Sequence, residues 1–413
     1  MNMQYVTILV VAAATAAIPG LHAQASGTAA NMSRYAVVDY HNTFTSGDGI
    51  TVRGPGPDLE TGQPFGGTTT VALGVGPGTR MQFIPGYSVF RAGTVDGVQW
   101  DQAKLGIFST AFGYNTIASG PLSYAAGMGT EAGGLLAVAM GYNTKASGDL
   151  SFALGYSSIA SGDGGFAFGS NALASGGGSM ALGAYVTASG SQSTALGMRT
   201  TASGIAATAL GNKTIASGVS STAMGNVTTA SGRFSSTLGF GTVARSYGET
   251  TVGSYNVDAT PLSSEAWKAG DRLFVVGNGQ SASARSDAFV VFKNGNAVIK
   301  GTLTQGSDRN RKTDIAPSDT KTVLALLAEL PIYTWKYKDE SVTHLGPMSQ
   351  DFFAAFSLGG TDTGIASVDA DGVALAAIQE LKKQCDAKDV RIAALESRLA
   401  ALERQVAGLA AAK

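Results

Sequence analysis

The sequence predicts a mainly β fold: a parallel β-roll solenoid of 14-residue rungs, a β-rich neck, and an α+β C-terminal domain that ends in a long coiled-coil helix. Three observations carry this reading. The tripeptide Ala-x-Gly recurs without insertion from Ala111 to Gly253, its glycines at 113, 127, 141, 155, 169, 183, 197, 211, 225, 239 and 253, with Thr for Ala in the last two copies. Ala-Ser-Gly keeps the same beat, ending at Gly120, Gly148, Gly162, Gly176, Gly190, Gly204, Gly218 and Gly232. From Ala374 to Leu409 positions four and three apart are apolar except at Lys388, a heptad seam over five heptads that Cys385 and Lys388 weaken at one turn.

Residues 1–25 read as a signal peptide: an apolar run from Tyr5 to Ile18, Pro19-Gly20, then the small-x-small pattern Ala23-Gln24-Ala25. An exported chain starting at Ser26 is expected. No later segment is apolar enough to cross a bilayer as a helix, so the mature chain is expected to have no membrane span. Residues 26–104 are not repetitive, and runs at Tyr35 to Tyr40, Thr69 to Leu73 and Met81 to Ile84 suit strands. The aromatic residues Phe83, Tyr87, Phe90 and Trp100 suit a cap over the first rung.

Residues 105–255 form the roll. A period of 14 is too short for a helix pair but suits two strands of about four or five residues joined by turns, with Gly and Ser at the corners. Such a unit cannot bury its own apolar face until its neighbours stack on it. At about 4.8 Å per rung, ten steps give a rod roughly 48 Å long. Alternation sets a small row (Ala125, Ala139, Ala153, Ala167, Ala181, Ala195, Ala209, Ala223) against a large one (Met140, Leu154, Phe168, Leu182, Leu196, Leu210, Met224, Leu238). Only one row fits inside. The other leaves an apolar stripe larger than monomers usually expose, which argues for oligomerisation. Charges are few here, and the rest of the surface is expected to be mostly Ser, Thr and Gly.

Rungs such as "SFALGYSSIASG" resemble the head repeats of YadA-like trimeric autotransporter adhesins. That resemblance implies a left-handed β-roll, a homotrimer, and attachment to a surface or host-matrix ligand.

Residues 256–304 read as the neck, with Asn278-Gly279 and Asn294-Gly295 as hairpin turns between β-rich runs. Residues 305–413 begin with "SDRNRK" at Ser307 to Lys312. An apolar helical stretch (Val323, Leu324, Leu326, Leu327, Leu330), "YTWKYK", "THLGPMSQDFFAAF" and the coiled coil of 374–409 follow. This order resembles the self-cleaving intramolecular chaperone of endosialidases and phage tailspikes. The resemblance implies that Ser307 is a nucleophile, Lys312 its general base, and the bond between Gly306 and Ser307 the one broken, with Asp308 also matching the motif. Many members carry Arg three residues after the Ser, where this chain has Asn310 followed by Arg311.

The residue types suit that chemistry on their own. A serine hydroxyl is a poor nucleophile until a neighbour takes its proton, and a lysine can do so in its neutral form, which burial and nearby cations favour. Yet positions i and i+5 diverge on a helix and face opposite ways on a strand, so a tight loop or a neighbouring chain must bring the pair together. His344 could polarise the site, although a lone His at a strand end is more often structural. Gln350 is expected to be a buried hydrogen-bonding residue. Cys385, the one cysteine, excludes an intrachain disulfide and falls on the heptad seam.

With a net charge of -1 and 14% charged residues, the chain has no basic excess for nucleic acid. The 56 glycines follow no Gly-X-Y beat, which excludes collagen. The repeats lack the Gly-Gly-x-Gly-x-Asp pattern of calcium-binding rolls, and no metal or cofactor is expected. Besides an exported surface fibre, two other readings use these features: a phage-type tail fibre or tailspike, and an ice-binding-like solenoid built on the ladder Thr116, Thr130, Thr144, Thr200, Thr214, Thr228 and Thr242.

Overall fold

A computed structural model of the chain describes residues 7–9, 37–39, 76–338 and 341–411. The small-x-small pattern, the start at Ser26 and the strand at 69–73 lie outside the described residues; Val37–Asp39 is a strand and pairs antiparallel with Thr7–Leu9. The chain divides into two compact units, Met1–Thr302 and Leu303–Lys413.

The first unit is the solenoid. Each rung contributes one five-residue strand, from Thr110–Tyr114 to Thr250–Ser254, and most add a two-residue strand, from Ile117–Ala118 to Val243–Ala244. The two strands are therefore unequal, where two of similar length were expected. Long strands stack in parallel in one sheet and short strands in another, and every step pairs a residue with its equivalent 14 positions on, as Ala153 with Ala167.

The Ala-Ser-Gly glycines sit at the bends as expected, whereas the Ala-x-Gly glycines lie within the long strands and let backbones pass closely. A Cβ on Gly183 would stand 1.9 Å from the carbonyl oxygen of Gly197 in the next rung, so the backbones touch only because no side chain separates them. The corners themselves are turned mostly by non-glycine residues in the left-handed region, such as Asn143 and Leu150 with φ of 50° and 57°.

The small row fills the inside. Ala125, Ala139, Ala153, Ala181, Ala195, Ala209 and Ala223 are completely buried, as are Ala118, Ala132, Ala146 and their equivalents. Serines and threonines line the rest of this column: Thr116, Thr130, Thr200, Thr214, Thr228 and Thr242 are fully buried, as are Ser151, Ser179, Ser193, Ser221 and Ser235. Two observations correct the sequence reading. The threonine ladder is an interior feature, so it offers no flat face to ice. The surface is not mainly Ser, Thr and Gly either, because many hydroxyls point inward while Tyr142, Tyr156, Phe168, Leu196 and Leu238 are exposed. The physical reason is width: an interior only as deep as a short rung holds Ala, Ser and Thr, and expels Leu and Phe.

Both ends of the column are closed by buried polar groups. At the start, a hairpin of Gly78–Ile84 and Val89–Val95 lays its second strand in parallel on the first rung. Arg91 there takes the place of an interior alanine, pairing with Ala111, and is fully buried. Its guanidinium donates to the Ser109 and Ala118 carbonyls and to Ser109 Oγ at 2.8–3.0 Å. Burial lowers its pKa to about 10, which leaves it charged at neutral pH. Trp100, also buried, donates to the Thr116 carbonyl at 2.9 Å. At the far end the Asn256 side chain stands in for a further strand: its Oδ1 accepts from Val243 N–H at 2.7 Å and its Nδ2 donates to Val243 O at 2.8 Å. Arg272–Asn278 then adds to the long sheet in parallel, followed antiparallel by Asp287–Phe292 and Ala297–Ile299. Asn294-Gly295 turns the last hairpin as expected, but Asn278-Gly279 opens a longer loop rather than a two-residue turn.

The second unit contains three helices, α1 (Thr320–Glu329), α2 (Ser349–Phe356) and α3 (Ser367–Ala411), and a hairpin of Tyr333–Trp335 with His344–Gly346. Leu330, Phe352 and Val373 form its core with Val323, Leu327, Phe356 and Ile365. Asp319 caps α1 by accepting from the N–H groups of Lys321 and Thr322. Within this chain the seam of α3 is unpartnered, with Ile378, Leu381, Ile392, Leu395, Leu399 and Leu402 all exposed. Among the described residues no helix is long and apolar enough to cross a membrane.

Candidate functional site

Residues 307–312 lie in an exposed loop tightened by a single 3-10 turn, Arg309–Arg311. Asp308 makes the turn: its Oδ1 accepts from Asn310 N–H at 2.9 Å and its carbonyl from Arg311 N–H at 3.2 Å, while Arg309 O accepts from Lys312 N–H at 3.1 Å. A 3-10 turn closes in three residues, so the chain doubles back where a helix or strand would carry i and i+5 apart. Lys312 Nζ consequently donates to Ser307 Oγ at 2.6 Å. The fold thus brings together the two residues whose spacing argued against contact, and gives Asp308 a defined place as the cap of their turn.

Two further residues lie beside the pair: Arg311, already noted as adjacent in the sequence, and Gln305, which had no signal there. The turn brings Arg311 over Gly306, with Nη1 3.9 Å from where a Cβ on Gly306 would stand. Gln305 donates through its side-chain amide to Ser367 Oγ at the start of α3, a contact across 62 positions that no local pattern encodes.

His344 sits elsewhere in the unit's bonding. It pairs across the hairpin with Trp335, whose ring it stacks on at 4.7 Å and 26°, and meets Tyr337 edge-on at 5.6 Å. His344 Nε2 and Trp335 Nε1 are both shielded and without hydrogen-bond partners. No hydrogen bond joins His344 to Ser307 or Lys312 among the described residues. Gln350 corrects an expectation: it is exposed in the chain, on the outer side of α2, where Phe352 and Phe356 take the inner face. Among the described residues no group of three or more His, Cys, Asp or Glu side chains is placed to hold a metal.

Comparison with known families agrees with this division of the chain. Segments 105–128, 132–158, 160–185, 174–200, 188–214 and 216–242 match the model of the YadA head domain repeat. Residues 307–360 match the chaperone of endosialidase, a family classed as a peptidase, and the match opens on Ser307. No curated protein matches the chain. The chain therefore carries a run of segments similar to the YadA head domain repeat, followed by a segment similar to the chaperone of endosialidase.

Proposed function

We propose that this is an exported, homotrimeric, fibrous surface protein of adhesin type. In this reading its C-terminal domain registers three chains during folding and then removes itself by a single cut between Gly306 and Ser307. The observation that carries the reaction is the 2.6 Å contact from Lys312 Nζ to Ser307 Oγ, beside the bond at which the endosialidase-chaperone match begins.

Lys312 takes the hydroxyl proton as Ser307 Oγ attacks the Gly306 carbonyl carbon. The Gly306–Ser307 C–N bond breaks, the proton passes to the Ser307 α-nitrogen, and Gly306 is left esterified to Oγ. Water then attacks the ester, giving the Gly306 carboxylate and restoring the hydroxyl on the new N-terminal serine. Both side chains of the dyad are exposed in a single chain. A lysine serves as a base only where its charged form is disfavoured, so a neighbouring chain that covers the loop couples cutting to assembly.

The rest of the chain supports the same assembly. The exposed apolar row of the roll and the bare seam of α3 each need covering. Identical rungs specify register weakly, since a slip of one rung costs little locally, and a C-terminal clamp answers that problem. Loss of the clamp after cutting makes assembly effectively irreversible. The fibre would then hold a surface or host-matrix ligand. The tail-fibre reading shares the C-terminal domain and is separated by export: it gains if residues 1–25 fail to direct a reporter out of the cell.

Residues 26–413 and the Ser307→Ala variant, run side by side on a denaturing gel with intact-mass analysis, test the reaction. Wild type is expected to split after Gly306 while the variant stays whole. If neither splits although both are folded trimers, the domain is a retained trimerisation cap and the peptidase reading is lost.

A further inference from the structure

We propose that Arg311 supplies the positive charge that stabilises the oxyanion formed on Gly306 during self-cleavage. The proposal rests on the Ser307–Lys312 reading and adds the group that reading lacks. Attack on a peptide carbonyl places negative charge on its oxygen, and a site without a donor there loses the largest single contribution to rate.

Backbone N–H groups are the usual donors, but this turn has spent three of its own. Those of Asn310, Arg311 and Lys312 are bonded to Asp308 Oδ1, Asp308 O and Arg309 O. Arg311 is the side chain that approaches Gly306. Among the described residues and leaving the chain neighbours of Gly306 aside, its Nη1 is the atom nearest the position a Gly306 Cβ would occupy, at 3.9 Å. Its guanidinium makes no hydrogen bond or ion pair among the described residues, so its donors are uncommitted. Gln305 is held on the other side of Gly306 by its bond to Ser367, so the scissile residue lies between two anchored neighbours, Gln305 and the capped turn. A guanidinium offers several donors in a fixed plane and suits an oxygen whose position is fixed in this way.

The test is the single-turnover cleavage rate of the full chain, followed by mass across a pH series, for wild type, Arg311→Gln, Arg311→Lys and Arg311→Ala, each first confirmed to assemble like wild type. Arg311→Gln is expected to slow cutting by about a hundredfold at every pH. The pH at which the rate rises should stay where it is in wild type. Arg311→Lys should keep part of the rate, and guanidinium ion added at tens of millimolar should restore part of it to Arg311→Ala, which a merely structural role would not allow. Cutting of Arg311→Gln within about threefold of wild type overturns the proposal. So does a loss that raising the pH repairs, because Arg311 would then act on Lys312 and not on the oxyanion. Should Arg311→Gln fail to assemble, the Arg311→Lys profile and the guanidinium rescue decide. An uncut wild type sinks the cleavage reading itself, an outcome distinct from wild type and variant cutting alike.

Discussion

Replacing Gly183 by alanine should open the roll locally. The new Cβ would stand 1.9 Å from Gly197 O and 2.9 Å from Gly197 C, both backbone atoms of the next rung that cannot rotate away. Relieving the clash requires the two rungs to part by roughly 1 Å out of a spacing of about 4.8 Å. That movement spoils the ladder in which Met180 to Ala184 pair with Thr194 to Met198. Two or three hydrogen bonds lost at about 1 kcal/mol each come to roughly 2–3 kcal/mol. The φ of 131° at Gly183 adds about 1–3 kcal/mol for a residue with a side chain, so the total is roughly 3–6 kcal/mol. Long repeat arrays need not unfold as one unit, so hydrogen exchange is a better assay than a melting midpoint. Amides of residues 180–198 should exchange at least about a hundredfold faster, with distant rungs much less affected. Ser203→Ala, at an exposed turn, serves as the control. Exchange in Gly183→Ala within about threefold of wild type would refute the claim that backbone contact requires this glycine.

Arg91→Leu should remove one charged donor from each of the carbonyls of Ser109 and Ala118, which keep their bonds from Phe90 N–H and Gly106 N–H, and cost about 1.5–3 kcal/mol; faster exchange confined to residues 90–118 is the expected sign. Burial raises the carboxyl of Glu249 above its ordinary value of 4.5, against the opposing pull of the Ser246 and Arg245 N–H groups. A raised acid binds its proton more tightly when folded, so its contribution is complete below about 4.5 and fades as pH rises through the folded value. Glu249→Gln should therefore flatten the fall in stability that wild type shows as pH rises above about 4.5, measured by denaturant unfolding against wild type. Leu395→Asp puts a charge on the seam of α3 and should abolish or greatly weaken oligomerisation, read by sedimentation; an unchanged trimer would remove α3 from the assembly.

Much of the architecture was legible because it is periodic. An unbroken beat of 14 residues leaves in-register parallel stacking as the arrangement in which every Ala-x-Gly meets its own copy, and the structure pairs Ala153 with Ala139 and Ala167. The seam of α3 was legible for the same reason. The ends of the roll were not, since Arg91 and Asn256 occur once each and follow no pattern. Asn278-Gly279 misled because the dipeptide permits a tight turn without requiring one. The site was half legible: Ser307 and Lys312 stood out by resemblance and Arg311 by its place beside them, whereas the approach of Arg311 to Gly306 and the bond from Gln305 to Ser367 were visible only in the fold.

The sequence by itself determined the repeat, the stacking and the heptads, because side-chain periodicity follows directly from residue order. It established that alanines and leucines lie on opposite faces of the strand, but not which face is inside. Tertiary structure decided that. A rung of one five-residue and one two-residue strand closes on a column too narrow for Leu or Phe, so Ala, Ser and Thr go in and the large row goes out. It also decided that Lys312 meets Ser307, since contact across five positions depends on how sharply the backbone turns, and that is set by the bond from Asn310 to Asp308.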